Sequence, residues 1–305
     1  MLKNRILSTL KFFDLQDIPL TLLELHRFLI GDIGQIKLSL DANWELSAPQ
    51  NLSHASLGIT MDQILYCLDN ECQAEAENTL GYYHLSGRSE IVHARRDNYL
   101  FGLKREKRIK RFANFLRYLP FVRGAAIGGS QSLGQQKEKS DIDLFIVAEP
   151  GFLWATRTAV SVFFQIFGLR RHGSKIKDRF CLNHYVAGGK RVDRERNLYK
   201  AMEYARLRPI VYPQGVGQFL ENNKDWTQFF FPNFYNDIFF EKQSKIQKLF
   251  ETLLKNPFGK LLERILGFFQ KHKIHEDEFT FVLSDELSFH PQSQHRALLS
   301  RFFSH

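Results

Sequence analysis

Two aspartates at the mouth of an apolar strand constrain this chain more than any other feature. The stretch Ser140-Asp141-Ile142-Asp143-Leu144-Phe145-Ile146-Val147 alternates carboxylates with apolar residues and then becomes wholly apolar. Successive strand side chains face opposite sides, so Asp141 and Asp143 project to the same side. Neighbouring carboxylates repel, and residues 144–147 read as buried strand, so the pair requires a cation against it. A divalent metal meets that need; magnesium favours one or two carboxylates completed by substrate phosphates.

Upstream, an apolar strand over residues 122–127 runs into Gly128-Gly129-Ser130-Gln131-Ser132-Leu133-Gly134. Glycines let backbone N–H groups approach a phosphate closely, and serine hydroxyls add donors. Gly128, Gly129, Ser130, Ser132, Gly134 and Ser140 are therefore the candidate nucleotide-binding residues. A phosphate cradle one loop ahead of a metal-binding carboxylate pair suits nucleotidyl transfer, in which the metal neutralises a triphosphate and aligns its α-phosphorus with an attacking hydroxyl.

The pattern Gly129-Ser130, a glycine at position 134, and Ser140-Asp141-Ile142-Asp143-Leu144 resembles the polymerase-β-like nucleotidyltransferase superfamily, and within it the minimal and aminoglycoside-type domains. The motif resemblance spans residues 122–187. The whole chain also resembles a poorly characterised bacterial group with an N-terminal winged-helix-like segment, in the phrases Pro150-Gly151-x-Leu153-Trp154 and Phe180-Cys181-Leu182-Asn183. The resemblance implies an α+β fold: a small mixed sheet with helices, flanked by the winged-helix-like domain and a C-terminal helical domain. Boundaries are expected at 1–96, 97–190 and 191–305. It also implies Mg²⁺ or Mn²⁺ as cofactor and an NTP, foremost ATP, as substrate.

The superfamily places a third carboxylate on a later strand, where it completes the metal site and helps deprotonate the acceptor. The matching strand here, Arg179-Phe180-Cys181-Leu182-Asn183-His184-Tyr185-Val186, has none. Asn183 is the natural occupant of that slot as a metal ligand beside Asp141 and Asp143. By strict alternation His184 points to the opposite face. Asp178 precedes the strand. Glu203, on a following helix, is the candidate base, against the alternative of a glutamate on a solvated face.

The rest of the chain is read more coarsely. Two capping boxes, Thr21-Leu22-Leu23-Glu24 and Thr60-Met61-Asp62-Gln63, open helices. Two short strands, 82–85 and 90–93, are expected to form a hairpin about Ser86-Gly87-Arg88. Three helices followed by a hairpin follow winged-helix order, although residues 31–59 interrupt it. A helix over 97–119 carries Lys104, Arg105, Lys107, Arg108, Lys110 and Arg111; it is either a solvated face or a contact for triphosphate or nucleic acid. Arg170, Arg171, Lys175 and Lys177 carry the same two readings. Beyond residue 197 the chain reads mainly helical, with Trp226 and the run Phe229-Phe230-Phe231 as core of a C-terminal bundle. His272 and His275 read as surface residues.

A net charge of +9 suits an anionic partner. Three cysteines with no Cys-x-x-Cys suggest neither a disulfide framework nor a zinc site and fit a reducing cytoplasm. No signal peptide is read at the start, and the longest apolar run, 158–169, is too short to span a bilayer, so no membrane partner is expected. Two functions stand: a Mg²⁺-dependent nucleotidyltransferase acting on an acceptor hydroxyl of undetermined identity, or a nucleotide-binding regulatory or antitoxin-like protein with a degenerate site and a DNA- or protein-binding winged helix.

Overall fold

Thr21 and Glu24 satisfy each other's backbone donors, and this reciprocal cap fixes where the N-terminal region changes direction. The computed structural model describes residues 1–42, 45–46, 58–133, 140–173, 176–274, 281–289 and 293–304. Helix α1 (Leu2–Asp14) is followed by a two-residue strand, β1 (Leu20–Thr21). Thr21 then opens α2 (Leu22–Arg27), its side chain accepting from the Glu24 N–H while Glu24 accepts from the Thr21 N–H at 2.9 Å. A short α3 (Ile33–Ser39), capped by Asp32, occupies part of the segment read as an interruption. The second capping box, Thr60 with Gln63, opens α4 (Met61–Glu71).

The hairpin that follows is not the one expected. Strand β2 (Ala76–Thr79) pairs with β3 (Tyr82–Leu85). Leu80 and Gly81 between them both have positive φ, +55° and +84°, as a two-residue type I′ turn requires. Residues 90–93 are instead the first turn of α5 (Glu90–Ala113). Ile91 and Val92 are β-branched, but burial of both against the core outweighs that weak propensity. Strand β1 joins the other edge of β3, giving the antiparallel order β1-β3-β2.

A 3-10 turn (Asn114–Tyr118) ends α5, and the main sheet begins with β4 (Val122–Ile127). After the turn Gly129–Leu133 come β5 (Ile142–Ala148), α6 (Leu153–Ile166) and β6 (Phe180–Ala187). These three strands lie where the sequence places them. The chain continues through α7 (Leu198–Ala205), β7 (Arg208–Val211), α8 (Pro213–Asn222), α9 (Lys224–Phe230), α10 (Lys245–Leu254), α11 (Pro257–Lys273), β8 (Phe281–Val282), β9 (Glu286–Ser288) and α12 (Ser293–Phe303). The sheet order is β7-β4-β5-β6-β9-β8, with β5 and β6 parallel and the other neighbours antiparallel.

The region beyond residue 197 is therefore not simply helical. It supplies β7 to one edge of the sheet and β8–β9 to the other. Pro209 within β7 is tolerated because β7 is an edge strand, where a missing N–H leaves no ladder partner unsatisfied.

The two faces of the sheet carry different cores. Phe145, Val147 and Val186 pack with α7–α9, and Trp226, Phe230 and Phe231 belong to this same cluster together with Ile6, Phe12 and Phe13 of α1. Phe12 also meets Phe302 of α12, with ring centroids 5.1 Å apart. The aromatic run at 229–231 is thus core, but core shared with the N-terminal region rather than that of a separate bundle. On the opposite face Ile142, Leu144, Ile146 and Tyr185 pack under α6 and the end of α5. Helix α11 locks α6 from outside: the Glu263 carboxylate accepts the Trp154 and Ala155 N–H groups at 2.8 and 2.7 Å, donors that the first turn of a helix leaves unsatisfied. Helix α10 is tied to β4 by a bidentate pair between Arg123 and Glu251, at 2.8 and 2.7 Å.

Candidate active site

The pleat of β5 sends Asp143, Phe145 and Val147 to one face. Asp141 precedes the strand by one residue, and its carboxylate lies on the same side: ligand atoms of Asp141, Asp143 and Cys181 all lie within 4.8 Å of one another. The expected pairing of the two aspartates thus holds in geometry. The third member differs from the expected residue. Across the parallel β5–β6 ladder, Asp143 stands opposite Cys181 and Phe145 opposite His184, so two steps on β5 match three on β6. This bulge puts the cysteine beside Asp143 and turns His184 to the same face, against the strict alternation read from sequence. The His184 ring meets the Phe145 ring edge-on at 4.9 Å. Asn183 lies in β6, but its side chain falls outside the described residues, as does Gly134.

The glycine turn closes on this pair from β4. Gly129 has φ +58°, and a Cβ there would overlap the Asp143 carboxylate, so any side chain at this position would displace the aspartate. The turn is held by three bonds. The Gly128 N–H donates to the Asp143 carbonyl at 3.0 Å. The Ser132 hydroxyl and Arg206 Nη2 donate to the Gly129 carbonyl at 2.7 and 3.1 Å. Gly128 and Ser132 therefore shape the turn. Ser140 serves the opposite side of the strand entrance, where its carbonyl accepts from Arg105 Nη1 at 3.2 Å and from the Asp178 N–H at 3.3 Å. Asp178 itself is paired with Arg105.

A cavity of about 800 Å³ opens in front of the site. Its walls combine Gly128, Gly129, Ser130, Asp143 and Cys181 with a cationic side of Arg157, Arg170, Arg171 and His172. Tyr199, Glu203, Leu207, Phe289 and His295 close it. A second cavity of about 480 Å³ lies between this site, the Gln16–Ile18 corner and the start of α5. The two share Gly129, Ser130, Tyr199 and Glu203. Of the candidate site residues read from sequence, Asp143, Gly128, Gly129, Ser130 and Glu203 line the first cavity; Asp141, Ser132 and Ser140 line neither. In the basic helix, Lys104, Lys107, Lys110 and Arg111 are exposed and Arg105 is buried.

Charge compensation in the site is direct. Arg171 Nη1 lies 2.5 Å from Asp141 Oδ2 and 3.7 Å from Cys181 Sγ. Burial, reinforced by the two aspartates, pushes the Cys181 thiol up to about 12, so it is protonated when no metal is present. Behind the cavity lies a buried ionic network. Lys200, 2% exposed, reaches Glu203 at 3.1 Å and Glu195 at 3.9 Å. Burial opposes the Lys200 charge, but Glu203, Glu195 and Glu286 outweigh it and hold its pKa above the ordinary value. His184 Nε2 lies 3.1 Å from Glu286 on β9; burial pulls this histidine below its ordinary pKa despite that partner. His295 on α12 stacks on Tyr199, with ring centroids 3.9 Å apart, and reaches Glu203 at 4.0 Å.

Cys181, Tyr199, His295 and Glu286 were not singled out from sequence. Cys181 stands in a recognisable strand, but only the parallel register reveals its neighbour. The other three come from α7, α12 and β9, and nothing local in their sequence reports that they converge.

The donor set bears on whether a divalent cation fits. Two carboxylates and one thiol converge within reach of a single ion, and among the described residues this is the one cluster of its kind. The carboxylates suit any hard divalent cation, and the sulfur departs from an all-oxygen set. Among the described residues no helix is long and apolar enough to cross a membrane.

No curated protein and no solved structure matches the chain significantly. Residues 107–204 match the family model described as a nucleotidyltransferase domain. The matched segment holds the glycine turn, both aspartates, Cys181 and Glu203. Residues 107–204 are thus a nucleotidyltransferase domain of the polymerase-β-like superfamily.

Proposed function

We propose that this chain transfers a nucleoside monophosphate from an NTP to an acceptor hydroxyl, with a divalent cation, Mg²⁺ or Mn²⁺, held by Asp141 and Asp143. The observation that carries the reading is the convergence of both carboxylates within 4.8 Å of each other, beside a cavity walled by Gly129 and Ser130. The bound cation would neutralise the triphosphate and polarise its α-phosphoryl group. Ser130 and the turn backbone bind phosphate oxygens. Arg157, Arg170 and Arg171 on the cationic wall balance the remaining charge. Glu203 lines both cavities, which supports a role for it in accepting the acceptor's proton.

The test is pyrophosphate release from a panel of NTPs with Mg²⁺ or Mn²⁺. Release is expected from the wild type and should vanish in the Asp141→Ala/Asp143→Ala double variant. Equal release by both would overturn the assignment.

A second reading is supported by Arg171, which already neutralises Asp141, and by a thiol, rather than a third carboxylate, beside the two aspartates. In it, the domain binds nucleotide without turnover and reports to the N-terminal region. The order helix, strand, helices, hairpin, with sheet order β1-β3-β2, supports a winged helix there. NTP binding without release for any acceptor, together with salt-dependent DNA binding by the full chain, would favour this reading.

A further inference from the structure

We propose that Cys181 is the third protein donor of the metal site and biases it toward thiophilic divalent ions (Co²⁺, Zn²⁺, Cd²⁺) over Mg²⁺. This rests on the reading that Asp141 and Asp143 bind a divalent cation. The bulge in β6 is the structural cause. It places Cys181, rather than its strand neighbours, opposite Asp143, with Sγ within 4.8 Å of carboxylate oxygens of both aspartates. A transition-metal ion bonds oxygen at about 2.1 Å and sulfur at about 2.3 Å, so donors around one ion lie roughly 3–4.5 Å apart. The three donor atoms here, all within 4.8 Å of one another, are close enough for one ion.

Sulfur is a poor ligand for magnesium, which demands hard oxygen donors, and a good one for zinc, cobalt or cadmium. The binding step balances as follows: the Cys181 S–H bond breaks, a metal–sulfur bond forms, and one proton leaves to solvent. Arg171, now against both Asp141 and Cys181, must leave the carboxylate as the ion arrives. It stands on the cavity wall, where the phosphates of a nucleotide offer it a new partner.

Cobalt provides a readout independent of activity. The full-length metal-free chain is titrated with Co²⁺ and followed by absorption, with folding of every variant checked by circular dichroism. Wild type is expected to show visible ligand-field bands together with a near-ultraviolet thiolate-to-cobalt charge-transfer band. Cys181→Ser should lose the charge-transfer band and keep the ligand-field bands. The Cys67→Ser/Cys72→Ser variant should keep both, which excludes the other two cysteines. Calorimetry should show Cd²⁺ affinity falling about tenfold or more in Cys181→Ser, while Mg²⁺ affinity changes by less than about threefold.

Ligand-field bands that depend on Asp143 but lack a charge-transfer band would overturn the role of Cys181 and leave the proposed function standing. A cobalt response identical in wild type and Asp141→Asn/Asp143→Asn would overturn both.

Discussion

Gly129 sits so close to the Asp143 carboxylate that even a methyl group on Gly129 would overlap an Oδ of the aspartate. Its φ of +58° adds a conformational reason for glycine. Gly129→Ala is expected to cost about 1 kcal/mol of stability from the left-handed backbone alone, read as a lowered Tm. The larger effect falls on the site: pushing Asp143 aside should cut pyrophosphate release about tenfold or more, as misplacement by an ångström does in positioned catalysis. A variant with wild-type release would show that Asp143 does not need its present position.

Arg171 competes with a metal for Asp141. The pair is partly exposed, with side-chain exposure of 43% and 17%, so its worth is near that of a surface ion pair, about 0.2–1 kcal/mol. Arg171→Ala is therefore expected to raise divalent-metal affinity about 1.5- to 5-fold in calorimetry at low salt. The same change should weaken NTP binding, because it removes a cation from the cavity wall. Metal and nucleotide affinities moving in opposite directions is the signature to look for.

Glu251 accepts from the Phe121 N–H at 2.8 Å as well as from Arg123, and it is 5% exposed. Glu251→Ala strands a backbone donor and leaves Arg123 with Glu149 as its remaining carboxylate partner. A loss of about 2–4 kcal/mol is expected in urea denaturation, with metal affinity unchanged. Because Glu251 fastens α10 to the sheet far from the aspartates, a loss confined to the metal site would contradict this account.

His295 is held below its ordinary pKa of 6.5, chiefly by burial, with Lys200 adding to the shift and Glu203 opposing it. In the unfolded chain it protonates near 6.5, while in the folded chain it resists the proton to lower pH. The unfolded state thus binds more protons in that window. Stability contributed by neutral His295 is full above pH 6.5 and is lost as the pH falls toward the lowered folded value. The slope is at most about 1.4 kcal/mol per pH unit. His295→Gln should flatten the decline between pH 6.5 and 5 in chemical denaturation, and an unchanged slope would show that His295 is not the group responsible.

Local chemistry made several elements legible. The capping boxes at Thr21 and Thr60 report their helices because a hydroxyl and a carboxylate or amide three residues on satisfy donors within one turn. Strands β4, β5 and β6 announce themselves as apolar runs bounded by turn residues. The hairpin is hidden in the sequence because Leu80-Gly81 lacks the asparagine or aspartate that usually marks a type I′ turn, while Ser86-Gly87-Arg88 resembles a turn. Strand β7, with Pro209 inside it, and the short β8 and β9 have too few residues to carry a period of their own.

What the amino-acid order determined by itself was the chemistry of one pair: Asp141 and Asp143 share a face because strand side chains alternate, whatever surrounds them. What only the tertiary structure decided was their company. A bulge in β6 chose Cys181 as the neighbour of Asp143 and brought His184 to the same face. Packing of α7, α12 and β9 set His295 against Glu203 on the cavity wall and Glu286 against His184. Alternation is a property of the local backbone, but strand register and helix docking are settled by burial summed over distant segments, and no short stretch of sequence contains that sum.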